Sequence, residues 1–392
     1  MSIADPPLMQ RPTLIFRAKR IVPSSLVDAL IISTVALFLS LILFGAFIAC
    51  TGVNPLSVYS VMWQGSFGNS YSIQTTLIHA APLMLTALCV VVPARVGMVI
   101  IGAEGCLIMG GLMAALTAQL MPHSGHYTLL ISMLLVGSIT GGLWVVFPGA
   151  LRQFRGVNEV ISSLLLNYIA LKILNHCVEG PMHDPNMLDT PSSFPVSGNP
   201  DFPTIMGNIP GTEIHWGLAF GVVACILVWI LLNHTTHGFA TSIVGGNVRA
   251  ARIAGLSVAK FSLIACFIGG AAAALAGVIE VAAVQGRANE GLDSGVGYAG
   301  ILVAFVARQN PLAVIPVAVL LGGVLASGDN LQMQLKLSSA SVQVFQGILF
   351  LVILGLDTWA GRLGDVRHAW FAKPVVKLAN LFSRNGVANA GV

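Results

Sequence analysis

The sequence predicts an all-α integral membrane protein of about ten transmembrane helices with both termini cytoplasmic. Three observations carry that expectation. Of 392 residues, 56% are hydrophobic and only 9% charged, where a soluble domain carries about 25% charged residues. The apolar residues gather into runs that approach the roughly 20 residues a membrane helix needs. Lys and Arg then fall almost wholly on one side of those runs. The 42 glycines fit the same class, because small residues let membrane helices approach closely.

The expected spans are 27–50, 74–94, 98–121, 127–150, 158–178, 214–233, 259–283, 296–308, 312–328 and 341–356. A polar, basic segment, residues 1–25, precedes the first. The apolar run Leu26–Cys50 exceeds the roughly 7–15-residue core of a cleaved signal, so it is expected as a retained first helix. The eighth run, "GVGYAGILVAFVAR", is short and Gly-flanked, as a half-helix or re-entrant piece would be. Cytoplasmic flanks accumulate Lys and Arg. With the N-terminus inside, all of the 19 Lys and Arg except Lys172, Arg287 and Lys336 lie in cytoplasmic pieces. The loop 179–213 has none, is rich in Pro, Asp and Ser, and reads as external. The six cysteines are scattered singly, mostly in apolar runs, and read as small buried hydrophobes.

The longest cytoplasmic loop between spans, 234–258, contains "GGNVRAARIAG" at residues 245–255. Asn247 is a suitable N-cap, Val248–Ala254 has good helix propensity, and Gly255 is a suitable C′ stop. A helix of about two turns is unstable alone in water, so it must dock on something. A basic turn on anionic headgroups and a knob for a cytoplasmic partner both satisfy that requirement.

Polar residues inside the spans are the other candidates, since an ionisable group there costs at least about 2.5–3.5 kcal/mol and should face protein or water. Glu104 lies about 9 Å into the third span, as a path residue or as a hydrogen-bonding partner of a neighbouring helix. Glu159, Ser163 and Asn167 fall at i, i+4 and i+8 on the fifth span, with Asn158 and Ser162 beside them. That stripe faces either a solute path, where amides and hydroxyls suit a neutral sugar or base, or another helix. Lys172 either snorkels outward or pairs with an acid elsewhere. His234 with His237, and His123 with His126, lack further ligands, so no metal site is expected. Arg95 and Arg308 mark tight inner turns, and Glu280 and Asp329 lie near outer helix ends.

The loop "GGNVRAARIAG" resembles the cytoplasmic loop of the permease subunits of ATP-binding-cassette importers for simple sugars and nucleosides. Three more stretches resemble the same family in order: "VGMVIIGAEG" (96–105), "GVNEVISSLLLNYIA" (156–170) and "GYAGILVAFVARQNPLAVIP" (297–316). The resemblance covers roughly residues 75–356 and is closest to the nucleoside-type branch. It implies that Asn247, Arg249, Ala250, Ala251, Arg252 and Gly255 couple the chain to an ATPase subunit. It also implies a second permease chain, identical or related, an extracytoplasmic solute-binding protein, and a multi-pass location in the inner (plasma) membrane among its lipids. Under it, residues 26–356 form the permease domain and 357–392 a cytoplasmic tail. Val248, Arg249, Ile100, Cys106 and Ala299 depart from the family's usual residues.

No G-x-x-x-x-G-K-[ST] stretch exists, so no cofactor is expected in this chain, and the ATP that the resemblance implies would bind a partner subunit. Neither G-x-S-x-G nor H-E-x-x-H occurs, and no enzyme activity or nucleic-acid partner is expected. The candidate path residues are Glu104, Asn158, Glu159, Ser163 and Asn167. The leading function is an ATP-driven importer permease, most readily for a nucleoside. A simple-sugar permease of the same family, and then an ion-gradient-driven transporter, are the alternatives.

Overall fold

A computed structural model describes residues 26–187, 190–198, 204–338 and 340–356, with side chains from residue 35 onward. The expected terminal segments 1–25 and 357–392 lie outside the described residues. The chain divides into two compact units, residues 1–40 with 351–392, and residues 41–350. Among the described residues the first unit contributes helical segments at 26–40 and 351–356. The second holds every site considered below.

Among the described residues the regular elements are helices: α1 (Leu26–Cys50), α2 (Pro55–Phe67), α3 (Ser70–Ala94), α4 (Ala103–Leu120), α5 (His126–Ala150), α6 (Glu159–Glu179), α7 (Gly217–His234), α8 (Thr236–Gly246), α9 (Val248–Ile253), α10 (Val258–Ile279), α11 (Val296–Val306), α12 (Pro311–Leu335) and α13 (Ala340–Leu356). Asparagine opens five of them. Asn54, Asn69, Asn158, Asn247 and Asn310 each accept a first-turn N–H through the side chain, which removes an orphan donor of a helix start. Helices α5 and α10 each continue through a π-helical turn, Leu151–Arg155 and Glu280–Gln285, and stop at left-handed Gly156 and Gly286.

Seven helices are long and apolar enough to cross a membrane among the described residues: α3 to α7, α10 and α12. An eighth span results if Val35–Cys50 and Pro55–Phe67, bent by 119°, count as one. Helix α2 was not expected, because Ser57, Ser60 and Gln64 interrupt its apolar pattern. The third expected span, 98–121, becomes helical only at Ala103. The eighth expected span is an 11-residue helix, about 16 Å long against a hydrocarbon core of about 30 Å. Between α6 and α7 the described residues of the loop form isolated bridges, His183 with Ser193, Ser192 with Asn289, and Asn208 with His215.

Helix α10 sits at the centre, packed on α3, α4 and α5. Its small residues let backbones touch: Gly277 lies against the Leu107 carbonyl of α4, and Gly270 against the Gly141 carbonyl of α5. Leu107, Ile108, Met133, Leu174, Val278 and Ile279 fill the core around them. The most apolar stretches of α3 and α4 are 78% buried, whereas those of α6 and α7 are 28% buried. The latter pair therefore leaves most of its surface to whatever surrounds the chain.

A side chain at position 277 would collide with the Leu107 carbonyl. Gly277→Val is expected to cost about 1–3 kcal/mol through forced separation of the two helices, read as a lower Tm in detergent. Gly347→Ala, where a Cβ meets no atom within 4 Å, should leave Tm unchanged.

Candidate functional site

Residues 98–102 leave the helix inside the protein, with Met98 and Ile100 fully packed. Backbone groups packed out of reach of water need protein partners, and side chains must supply them. The polar stripe of α6 does this. Glu159 Oε1 accepts from the Val99 N–H at 3.3 Å, and Ser163 Oγ accepts from the Ile101 N–H at 3.1 Å. Asn167 Oδ1 accepts from the Gly105 N–H at 2.9 Å, while its Nδ2 donates to the Ile101 carbonyl at 2.8 Å. The spacing works because four helical residues rise about 6.0 Å and two extended residues about 6.6 Å. Ser163 and Asn167 are buried, and Glu159 is also paired with Arg152 across the turn before α6. Asn158 is exposed and caps α6, accepting from Val160 and Ile161.

Glu104 stands in the first turn of α4 and is 1% exposed. Its two oxygens accept from the N–H groups of Gly295 (2.9 Å) and Gly297 (2.5 Å) at the start of α11. Helix α11 has no side-chain cap of its own, so the carboxyl group at the start of α4 caps it. A carboxyl group is favourably placed at the two helix N-termini that meet there. Tyr298 Oη accepts from Asn167 Nδ2 at 3.2 Å, tying α11 to α6 as well.

The segment 245–255 folds as its punctuation predicts. Asn247 Oδ1 accepts from Arg249 and Ala250, at 2.9 and 3.2 Å. Helix α9 then ends with Gly255 at φ +78°. The Gly255 and Leu256 N–H groups donate to Arg252 and Ala251, at 3.1 and 2.9 Å, a Schellman closure. Ala251 is buried, whereas Asn247, Arg249, Ala250 and Arg252 are exposed, and Ile253 is 88% exposed. One residue ahead of the α8 C-terminus, Gly245 lies against the Arg95 carbonyl. Helices α8 and α9 are thereby seated on the turn that leads from α3 into the broken stretch 98–102.

Comparison with known proteins places this geometry. Residues 72–354 match the family model described as "Branched-chain amino acid transport system / permease component". The chain belongs to this family. Its curated relatives include the glucose ABC transporter permease protein TsgB13 of Haloferax volcanii, 30% identical over 79% of this chain and 83% of that one. The guanosine ABC transporter permease protein NupP of Bacillus subtilis is 29% identical over 83% of this chain and 92% of that one. The nucleoside ABC transporter permease protein NupB of Lactococcus lactis is 26% identical over 77% and 86%. The chain is thus the permease subunit of an ABC importer and not an enzyme.

Elsewhere in the permease, the structure joins residues that spacing left apart. Arg287 donates to Asp184 Oδ2 at 2.7 Å in a buried pair, and to the Ser193 carbonyl at 3.4 Å. The only hint in the sequence was a lone Arg on the side expected to lack them. That hydrogen bond, helped by the Asn186 N–H, holds the Asp184 carboxyl below its usual 3.8. Burial, and then the neighbouring His79, holds His215 below its usual 6.5. His234 and His237 do not converge, since they pack on Trp229 and Phe261 respectively. No group suited to a metal exists among the described residues.

Glu104→Ala leaves two amides without an acceptor, at about 1–3 kcal/mol each, and should lower Tm and abolish uptake. Glu104→Gln keeps one acceptor and should fall between. Acid should also destabilise the fold through Asp184 and His215. Both groups have lowered folded values, so their contributions are intact above the unfolded ones and fade as pH falls. His215 acts first, below 6.5, and Asp184 follows below 3.8. A detergent melt series from about pH 7.5 to 5 should show falling Tm, with a flatter slope in His215→Gln.

Proposed function

We propose that this permease carries a nucleoside inward, driven by ATPase subunits that grip α9. The observation that carries the coupling role is a two-turn helix, capped at both ends, that presents Ile253, Arg249 and Arg252 to solvent while α8 anchors it on the Arg95 carbonyl. A short helix so held can transmit a push without melting. Closure of the ATPase subunits would move α9, the Gly245 contact would pass the motion to residues 95–102, and α4, α6 and α11 would shift around the break. An extracytoplasmic binding protein would deliver solute, and a second permease chain would complete the path.

The finer topology belongs to the same reading. Ten helices, α1, α3 to α7 and α10 to α13, would make ten passages, with α11 as a partial one and both termini cytoplasmic, a topology the Lys and Arg distribution supports. The location is the plasma membrane, the inner one where there are two. Nucleoside as cargo is supported by the "GVNEVISSLLLNYIA" segment and by the guanosine and nucleoside relatives. The glucose relative supports a simple sugar as the second reading.

The test is uptake of labelled guanosine, with labelled glucose and ribose as competitors, in cells carrying the transport genes with and without this chain. Loss of guanosine uptake alone supports the nucleoside, and loss of sugar uptake alone moves the cargo to sugars. In the same assay Gly255→Pro, which forbids the φ of +78° and removes a cap donor, should uncouple ATP hydrolysis from uptake. Arg252→Glu should do likewise. Normal coupled uptake in both variants would overturn the role given to α9.

A further inference from the structure

Helix α2 is too short to cross a membrane. Its 13 residues extend about 20 Å, against a hydrocarbon core of about 30 Å. It turns from α1 by 119°, so it runs more nearly across that helix than along it. Contacts fix its level. Gly45 of α1 lies against Pro55 and Tyr59 of α2, and the Tyr59 hydroxyl donates to the Leu41 carbonyl. Gly45 stands five residues before Cys50, the end of α1. The start of α2 is therefore set about 8 Å below that end.

The side chains of α2 sort by angle, since successive helical residues are about 100° apart. One face, Val58, Val61, Met62, Gly65 and Ser66, is buried. There Ser66 Oγ donates to the Gly323 carbonyl of α12 at 2.6 Å, and Thr76 Oγ1 of α3 donates to the Ser66 carbonyl at 2.7 Å. The opposite face is exposed and divided. Leu56, Trp63 and Phe67 line up along its middle, with Trp63 67% exposed and its ring 5.6 Å from that of Phe67. To one side of this strip comes Tyr59, turned to α1. To the other come Ser60 and Gln64, both exposed. The order across the face is thus α1, then apolar, then polar.

We infer that α2 lies in the lipid interface at the Cys50 end of α1, with Leu56, Trp63 and Phe67 against the upper acyl chains and Ser60 and Gln64 toward headgroups and water. This rests on α1 as a membrane passage and on neither cargo nor coupling. A helix lying in the interface sinks its apolar face about 5–10 Å below the headgroup boundary, the depth that the Gly45 contact gives. Tryptophan suits the place because its ring is apolar while its N–H still needs a partner. The strip also continues the kind of surface that α1 presents, where Ile42, Leu43 and Phe47 are exposed. No charged residue occurs in α2, so zwitterionic lipid suffices and no anionic headgroup is required. Because α2 is bonded to both α3 and α12, its seat in the interface holds those two helices at a fixed height.

The experiment uses the assembled transporter in phosphatidylcholine nanodiscs and has two arms. The emission of Trp63 is taken as the difference between the unmodified chain and Trp63→Phe, which keeps an apolar ring. Lipid brominated near the headgroup end of its chains should remove most of that emission, lipid brominated near the chain ends less, and aqueous iodide least. Strongest quenching by iodide, or none by either lipid, would overturn the lipid contact, the second because a protein then covers the strip. Strongest quenching by the chain-end lipid would overturn the interfacial depth. In the second arm Trp63→Cys and Gln64→Cys, neighbours that differ by face and not by height, meet a membrane-impermeant maleimide, with the unmodified chain as background. Labelling at position 64 should exceed that at 63, and equal labelling would overturn the division into apolar and polar flanks. Ile42→Cys on α1 should stay unlabelled, and its labelling would overturn the passage of α1 and the inference with it.

Discussion

A chain that leaves the helix within packed protein must find a partner for each backbone N–H and C=O it buries. Residues 98–102 do leave it, and much of the surrounding structure follows from that. The inward stripe of α6 is spaced to reach Val99, Ile101 and Gly105. The break also shortens α4, so that its first turn comes beside the start of α11. There Glu104 gives α11 the acceptors its own sequence lacks, because Gly295 and Gly297 carry no side chain. The starts of α4 and α11 and one polar stripe thus form a single hydrogen-bonded unit, and removing any member exposes donors belonging to another.

Such a unit is stiff locally and yet has few covalent constraints, which suits a moving part. The extended stretch is joined to α3 by the turn at Arg95–Gly97, and the α8 backbone rests directly on that turn at Gly245. Backbone-to-backbone contact leaves no flexible side chain to absorb a displacement. A shift of α8 and α9 therefore reaches the break more directly than it reaches the glycine-packed centre, where α10 is held by close contacts at Gly270 and Gly277. The division is between a packed frame, α3, α5 and α10, and an assembly built on polar contacts at its edge.

The sequence made local features legible and left long-range ones hidden. The cap and stop of α9 were readable because Asn247 and Gly255 act within a few residues of themselves. The shortness of α11 was readable from its flanking glycines. The break before α4 was not, since "MVIIG" is as apolar as any helix and its non-helical form depends on α6, about 60 residues away. The Asp184–Arg287 pair, separated by 103 residues, had no local sign beyond an arginine in an unexpected place. The stripe of α6 was legible as a stripe, but helical periodicity states only which residues share a face. Which way that face turns depends on where the unsatisfied backbone lies.

That last point bears on how charge is distributed through so apolar a chain. Glu104 is held by amides, Glu159 by Arg152 and an amide, Arg287 by Asp184, and Glu280 by Gln285. Each of these charges, set against the body of the protein, has a partner there, as the cost of burying it demands. Lys172 lies on a spanning helix and finds none among the described residues. It keeps company with Tyr168 and His176 on a face the chain itself leaves uncovered. A side chain with so costly a charge, kept where the chain supplies nothing to offset it, is accounted for by something outside the chain.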